Sequence, residues 1–150
     1  MLSASMLLAG NREEPGGRWR GFEVRDVVYR SGARYGWHDH ERASLFVVLR
    51  GGVDEEWGRA RGACGAGTVG YLPAGGRHRS VFASMPVHTL SVTLEPGWLA
   101  SMRVGERKVT SPGMVSNEFV RAAALRLHAL ARWDDPARHL ASEEIVLDLV

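Results

Sequence analysis

The sequence predicts a mainly β protein, a barrel or sandwich of short strands, followed by two α-helices. Two observations support the β part: short runs of alternating apolar and polar residues, and the Gly and Pro turns that separate them. The helical part is indicated by apolar residues that recur at helical spacing after Pro96. We therefore divide the chain into a flexible lead-in of residues 1–18, a barrel of residues 19–96 and a helical segment of residues 97–150.

Six stretches between residues 22 and 94 have the residue pattern of β-strands. Residues 22–29 and 87–94 alternate apolar and polar side chains, as strands with one buried face do. Residues 44–49 are apolar on both faces, which predicts a central strand that is covered on both sides. The other three stretches are residues 59–64, 68–72 and 77–82.

The first predicted helix spans residues 117–132. Ser116 or Asn117 can cap its start, because a short polar side chain at that position accepts a hydrogen bond from a free backbone N–H group. The predicted apolar face of this helix consists of Phe119, Ala123, Leu127 and Leu130.

The second predicted helix spans residues 136–150, with Asp135 as its cap and Pro136 at the first helical position. Its last residues, 145–150, are apolar nearly all round and stop in the middle of the pattern. A helix with that surface must be buried against another element or another chain. We therefore expect this sequence to be part of a longer protein that dimerises through its helices.

The composition is that of an ordinary globular domain, with 150 residues of which 45% are hydrophobic and 24% charged. A net charge of +2, from basic residues scattered along the chain, does not indicate a nucleic-acid-binding surface. Cys64 is the one cysteine, which excludes an intrachain disulfide and fits a reducing compartment. No apolar run approaches the roughly 20 residues of a membrane span, and we expect no membrane contact and a cytoplasmic location.

Three histidines stand out as candidate metal ligands. His38 and His40 are two residues apart, so in a strand their side chains would point the same way and could share one ion. His78 follows the turn formed by residues 73–76, at the start of another strand. Three neutral imidazoles inside a barrel suit zinc, nickel, copper or iron(II).

The spacing of these residues resembles the two sequence motifs of the cupin family. The first motif is matched by Gly32, His38, His40 and Gly51, and the second by Gly67, Pro73, Gly75 and His78. Ser44 stands where the family usually has a glutamate, and Phe82 where it usually has an asparagine. The resemblance implies a cupin-type double-stranded β-helix, that is, a jelly-roll barrel.

A barrel of this kind followed by two antiparallel helices is similar to the N-terminal sensor domain of AraC-family transcription regulators. The likeness is carried by His38, by the runs at residues 44–51 and 73–78, and by the Arg126-Leu-x-Ala-Leu pattern of the first helix. It implies that the barrel binds a small-molecule effector and that the helices form a homodimer. DNA would be contacted only by a region outside this chain.

A small cupin metalloenzyme, such as a dioxygenase or an isomerase, is the alternative function. A metal held by three imidazoles keeps open positions for water, oxygen or substrate. Against an enzyme, Ser44 replaces the usual carboxylate, and the residues around His38 and His40 offer no clear general base. We therefore favour a sensor that is not an enzyme, and keep the enzyme as the second hypothesis.

Two roles are open for the three histidines. They could hold a divalent metal such as zinc, nickel or iron, or they could hydrogen-bond an effector or polar neighbours without a metal. Candidate effector-binding residues are Trp37, Ser44, Phe46, Tyr71 and His88. His88 shares a strand face with Leu90 and Val92, and we expect this face to look into the barrel. His128 and His139, on the helices, are expected to be exposed.

Overall fold

In the computed structural model, the described part of the chain forms two antiparallel β-sheets that face each other, and two helices. The structure describes residues 11–98, 113–132 and 138–149. In these ranges the strands are β1 Arg12–Trp19, β2 Phe22–Tyr29, β3 Arg34–His38, β4 Ser44–Arg50, β5 Gly52–Trp57, β6 Ala60–Gly65, β7 Thr68–Leu72, β8 His78–Phe82, β9 Val87–Leu94 and β10 Gly113–Ser116. The helices are α1 Glu118–Ala131 and α2 Arg138–Leu149.

The larger sheet has the strand order β1-β2-β9-β4-β7-β10, and the smaller one has the order β3-β8-β5-β6. All six strands predicted between residues 22 and 94 are present, so the prediction of a mainly β fold with two C-terminal helices is confirmed. β4 is a central strand, paired with β9 on one side and with β7 on the other. None of the described helices is long and apolar enough to cross a membrane.

The prediction of a flexible lead-in over residues 1–18 was wrong for its second half. Residues from Arg12 onward form β1, which pairs with β2 along its whole length. Pro15 is tolerated because β1 lies at the sheet edge and the register shifts between Pro15 and Gly17. Residues 1–10 lie outside the described part of the chain.

Two apolar clusters hold the layers together. The larger cluster joins one face of the six-stranded sheet, including Leu45 and Val92, to α1 and α2 through residues such as Leu127 and Val146. The smaller cluster lies between the two sheets, where Val48 of the larger sheet meets Val53 of the smaller one. The larger sheet is therefore covered on both faces, by the helices on one side and by the smaller sheet on the other.

Helix α1 begins at Asn117, whose side chain accepts a hydrogen bond of 2.8 Å from the Val120 backbone N–H. The predicted apolar face is only partly right, since Ala123 and Leu127 are buried but Phe119 is 64% exposed. The buried residues are Val120, Ala123, Ala124, Leu127 and Ala131. The face of α1 that packs against the sheet is therefore rotated slightly from the face that was predicted from its large apolar residues.

The segment predicted to be helical also contributes a strand to the barrel. β10 precedes α1 and pairs with β7 at the edge of the larger sheet. Helix α2 packs against α1. Its predicted cap and first position, Asp135 and Pro136, lie outside the described residues.

Candidate functional site

A cavity of about 460 Å³ lies between the two sheets. Hydroxyl groups line much of it, and they come from Ser44, Ser80, Thr89, Ser91 and Thr93. The three hydroxyl residues of β9 point into the cavity because they alternate with Leu90 and Val92, which are buried on the opposite face. Tyr29, Tyr35, Phe46 and Phe82 add an aromatic part to the wall.

The three histidines meet in this cavity. His38 ends β3, His78 begins β8, and the two are cross-strand partners. His40 follows two residues after the end of β3. The ring centroids of His38 and His78 are 4.2 Å apart, and His40 is 5.1 Å from each of them. One ring nitrogen from each residue can lie within 4.8 Å of the other two, a spacing that one ion can bridge.

The hydrogen bonds of two imidazoles determine which nitrogen faces the cluster. His38 Nδ1 donates to the Gly36 carbonyl oxygen at 2.7 Å, and His78 Nδ1 donates to Glu55 Oε2 at 3.1 Å. In the neutral form each ring therefore carries its proton on Nδ1 and keeps the Nε2 lone pair for a ligand. His78 Nε2 is buried and has no hydrogen-bond partner among the described residues. The donor set thus fits a divalent transition metal.

Glu55 is the functional residue that sequence reasoning missed. It is 4% exposed and accepts hydrogen bonds from His78 and, at 2.6 Å, from Ser80 Oγ. Its position in the charged run Asp54-Glu55-Glu56 is typical of a surface hairpin, which is why it was overlooked. The two-residue period of β5 was the available signal, because it places Glu55 on the same face as the apolar Val53.

The environment keeps two of the imidazoles neutral. Burial, together with the neighbouring His78 and His38, lowers the pKa of His40 to about 4. Burial also lowers the pKa of His38, and this outweighs the hydrogen bond to Gly36, which raises it. Both rings are therefore uncharged at neutral pH, the form in which an imidazole binds a metal.

Two of the five predicted effector-binding residues, Ser44 and Phe46, line the cavity. Trp37 does not, because the register of β3 shifts between Tyr35 and His38 and leaves Trp37 41% exposed. Its ring lies under the Arg79 guanidinium, 5.4 Å from the ring centroid. The assignment of Trp37 to the cavity wall was therefore wrong.

Tyr71 and His88 lie on the other face of the larger sheet. Leu72 lines the cavity, so the preceding Tyr71 points to the opposite side and packs against the larger apolar cluster. His88 does share its face with Leu90 and Val92, but this face lies under α1. The expectation that His88 points into the barrel was therefore wrong.

His88 instead hydrogen-bonds Asp26, which also accepts a hydrogen bond of 2.7 Å from His128 Nε2. His128 was predicted to be exposed, yet its side chain is only 20% exposed. The side chain of His139 lies outside the described part of the structure.

Comparisons with known proteins agree with this architecture. One similar solved structure is a protein of unknown function from Rhizobium leguminosarum, with a TM-score of 0.52 and 17% identity over 56% of this chain and 80% of that one. Another is a Cupin 2 conserved barrel domain protein from Salinispora arenicola, with a TM-score of 0.50 and 24% identity over 61% of this chain and 81% of that one.

These two structures support the fold alone, and no curated protein matches the sequence. The family model described as AraC-like ligand binding domain matches residues 27–150, which is more than half of the chain. With its cupin-like barrel and C-terminal helices, the chain belongs to the AraC-like ligand-binding domain family.

Proposed function

We propose that this chain is the effector-sensing and dimerisation region of an AraC-like transcription regulator and that it binds a small molecule in the cavity between the sheets. The cavity of about 460 Å³ falls within the roughly 300–1,000 Å³ of pockets that take small ligands. Its wall combines hydroxyl groups with aromatic rings, which suits a compact polar molecule that has one apolar side. Family membership supports the same role.

One observation carries this proposal: the strands that line the cavity also support helix α1. On β9, Thr89 and Ser91 contact the cavity, while Leu90 and Val92 belong to the cluster that contains Leu127 of α1. A ligand that changes the position of β9 therefore also changes the surface on which α1 packs. Such a ligand shifts the helix only if it binds the two arrangements with different affinity.

His38, His40 and His78 would hold a divalent metal next to the effector. Glu55 supports this role, because a carboxylate that holds the second nitrogen of a ligating histidine orients the ring and makes it a stronger ligand. When bound, the ion would supply a positive anchor for an oxygen or nitrogen atom of the effector.

The same proposal includes a homodimer that forms through the helices. Phe119 and Leu125 of α1 and Leu140 of α2 are large apolar side chains that are 64%, 50% and 77% exposed. A contiguous apolar patch is typical of a protein contact surface, and we expect these side chains to form one with a second copy of the chain. DNA would be contacted by a region outside residues 1–150.

The proposal is tested by thermal-shift measurements on the zinc-loaded protein with a panel of small polar compounds. A compound at about 100 times its Kd should stabilise the protein by about 2.7 kcal/mol. Ser44→Phe should abolish the shift, because it fills the cavity, whereas Ser84→Phe on an exposed loop should preserve it. A shift that survives Ser44→Phe would place the compound elsewhere and contradict the proposal.

A cupin metalloenzyme is the second candidate, and the buried Glu55 in the cavity wall is the observation in its favour. A carboxylate next to a histidine cluster can act as a general base. Mass spectrometry of the compound after incubation with the metal-loaded protein separates the two functions. A sensor returns the compound unchanged, whereas turnover that is lost in Glu55→Gln would support the enzyme.

A further inference from the structure

A carboxylate and two imidazoles meet outside the cavity, between the six-stranded sheet and α1. Asp26 of β2 accepts hydrogen bonds from His88 Nε2 of β9 through Oδ1 and from His128 Nε2 of α1 through Oδ2. The potential ligand atoms of the three residues all lie within 4.8 Å of one another. The group is separate from the three-histidine cluster, since Arg25, Val27 and Thr89, its chain neighbours, face the cavity instead.

The fold brings these residues together from distant parts of the sequence. Asp26 pairs with Leu90 and Val28 pairs with His88, so Asp26 and His88 are diagonal neighbours on one face of the sheet. His128 directly follows Leu127, whose side chain is fully buried in the cluster between the sheet and α1. All three groups are therefore attached to well-packed elements and do not depend on a flexible loop.

We propose that Asp26, His88 and His128 form a second binding site for a divalent transition metal such as zinc or nickel. The bound ion would link α1 to the sheet. Two imidazole nitrogens and one carboxylate are a ligand set that these ions accept, with water at the remaining positions. Both rings turn Nε2 to the same carboxylate, so both lone pairs face one point once the protons are on Nδ1.

The degree of burial suits a site that exchanges ions with solvent. The side chains of Asp26, His128 and His88 are 12%, 20% and 29% exposed, so an ion and its water ligands can reach them. The Asp26 carboxylate already brings both imidazoles to one point, and a divalent cation bound there would place positive charge beside this acidic group. The competing explanation is that the three residues only hydrogen-bond to one another, without a metal. Metal binding is the measurable property that distinguishes the two explanations.

The test uses tag-free protein with the substitutions His38→Ala and His40→Ala. These remove two of the three histidines in the cavity and leave Asp26, His88 and His128 unchanged. Titration with cobalt(II), followed by absorption spectroscopy, should show about one ion bound per chain with nitrogen and oxygen ligands. Zinc should displace the cobalt and raise the melting temperature. Adding His128→Gln should abolish both effects, whereas Arg126→Gln, an exposed change on the same helix, should preserve them.

Two results would overturn the proposal. The first is that the His38→Ala, His40→Ala protein is folded, as judged by circular dichroism, but binds neither cobalt nor zinc at micromolar free metal. Asp26, His88 and His128 would then only hydrogen-bond to one another. The second is stoichiometric binding that persists in both His128→Gln and Asp26→Asn, which would place the ion elsewhere. Because the first measurement leaves all three residues unchanged, it does not depend on the folding of the His128 and Asp26 variants.

Discussion

At the scale of single residues, the least expected group in the molecule is the buried carboxylate of Glu55. Its oxygens accept hydrogen bonds from His78 Nδ1 and Ser80 Oγ, so an imidazole and a hydroxyl group compensate the enclosed acid. A buried charge is costly unless hydrogen bonds compensate it. Glu55 is thus better explained by its effect on His78 than by a contribution to stability.

Replacing Glu55 by Gln should weaken zinc binding by about 10–100-fold, because it removes the negative charge that makes His78 a strong ligand. The amide retains the size of the side chain and can still accept one hydrogen bond. The measurement is competition with a chromophoric chelator. Glu56→Gln is the matched control, because Glu56 binds Arg79 near the surface. Equal zinc affinity in Glu55→Gln and the native protein would contradict the assigned role.

Cys64 should be unreactive in the folded protein. Burial raises the pKa of its thiol to about 12, and the nearby carboxylates of Glu55 and Asp54 act in the same direction. Only the thiolate reacts with a disulfide reagent, so labelling at neutral pH should be negligible until the protein is unfolded. Rapid labelling of native protein, monitored by absorbance, would show that the thiol is accessible.

The raised pKa of Cys64 also predicts that the protein loses stability at alkaline pH. The folded pKa of Cys64, about 12, lies above the ordinary value of 9.0, so the folded state favours the protonated thiol. Its contribution to stability is complete below pH 9.0 and declines as the pH rises from 9.0 towards about 12. Urea unfolding across this range should show the decline in native protein and a smaller one in Cys64→Ala. If the free energy of unfolding fell equally with pH in both proteins, the raised pKa of Cys64 would be contradicted.

At the scale of elements, helix α1 is held to the sheet by a small number of buried side chains. Leu127 is fully buried in the apolar cluster, whereas Leu125, two residues earlier, is 50% exposed. Leu127→Ala should lower the free energy of unfolding by about 2–5 kcal/mol, because it leaves a cavity between helix and sheet. Measured on monomeric protein, at a concentration below that of the proposed dimer, Leu125→Ala should cost less than about 1 kcal/mol. Similar losses in urea unfolding would mean that the helix does not pack as described.

The start of α1 offers a smaller test on the same element. The Asn117 side chain caps the helix, so Asn117→Ala should lower the free energy of unfolding by about 1 kcal/mol. Ser116→Ala should have little effect, because Ser116 is exposed and Asn117 supplies the cap. Chemical denaturation of the two variants distinguishes the two candidate caps. The opposite ranking would assign the cap to Ser116.

At the scale of the whole molecule, the two faces of the larger sheet link the cavity to the helices. The proposed effector binding and the proposed self-association are therefore expected to depend on each other, because β9 lines the cavity and also packs against the helices. The coupling must be reciprocal: a ligand that strengthens the dimer binds the dimer more tightly than the monomer.

Self-association should depend on the exposed apolar residues of the helices. Replacing both Phe119 and Leu140 by Ser should convert a dimer into a monomer in sedimentation velocity, since it removes two large apolar contacts. Met85→Ser is a control, because Met85 is 51% exposed on a loop of the barrel. Native protein that sediments as a monomer at micromolar concentration would contradict the proposed homodimer.

The amino-acid pattern alone was sufficient to predict the mainly β fold and the approximate bounds of α1. It succeeded because alternation and helical spacing reflect local backbone geometry. Motif spacing also singled out His38, His40 and His78, which the structure brings together in one cavity.

The faces of the larger sheet could be assigned only from the tertiary structure. Alternation shows which residues share a face, but here both faces are covered, so an apolar row does not identify the cavity side. For that reason His88 and Tyr71 were placed on the wrong side of the sheet, and Asp26 was not connected with either histidine. Glu55 was missed for a related reason: only the packing of the second sheet encloses it.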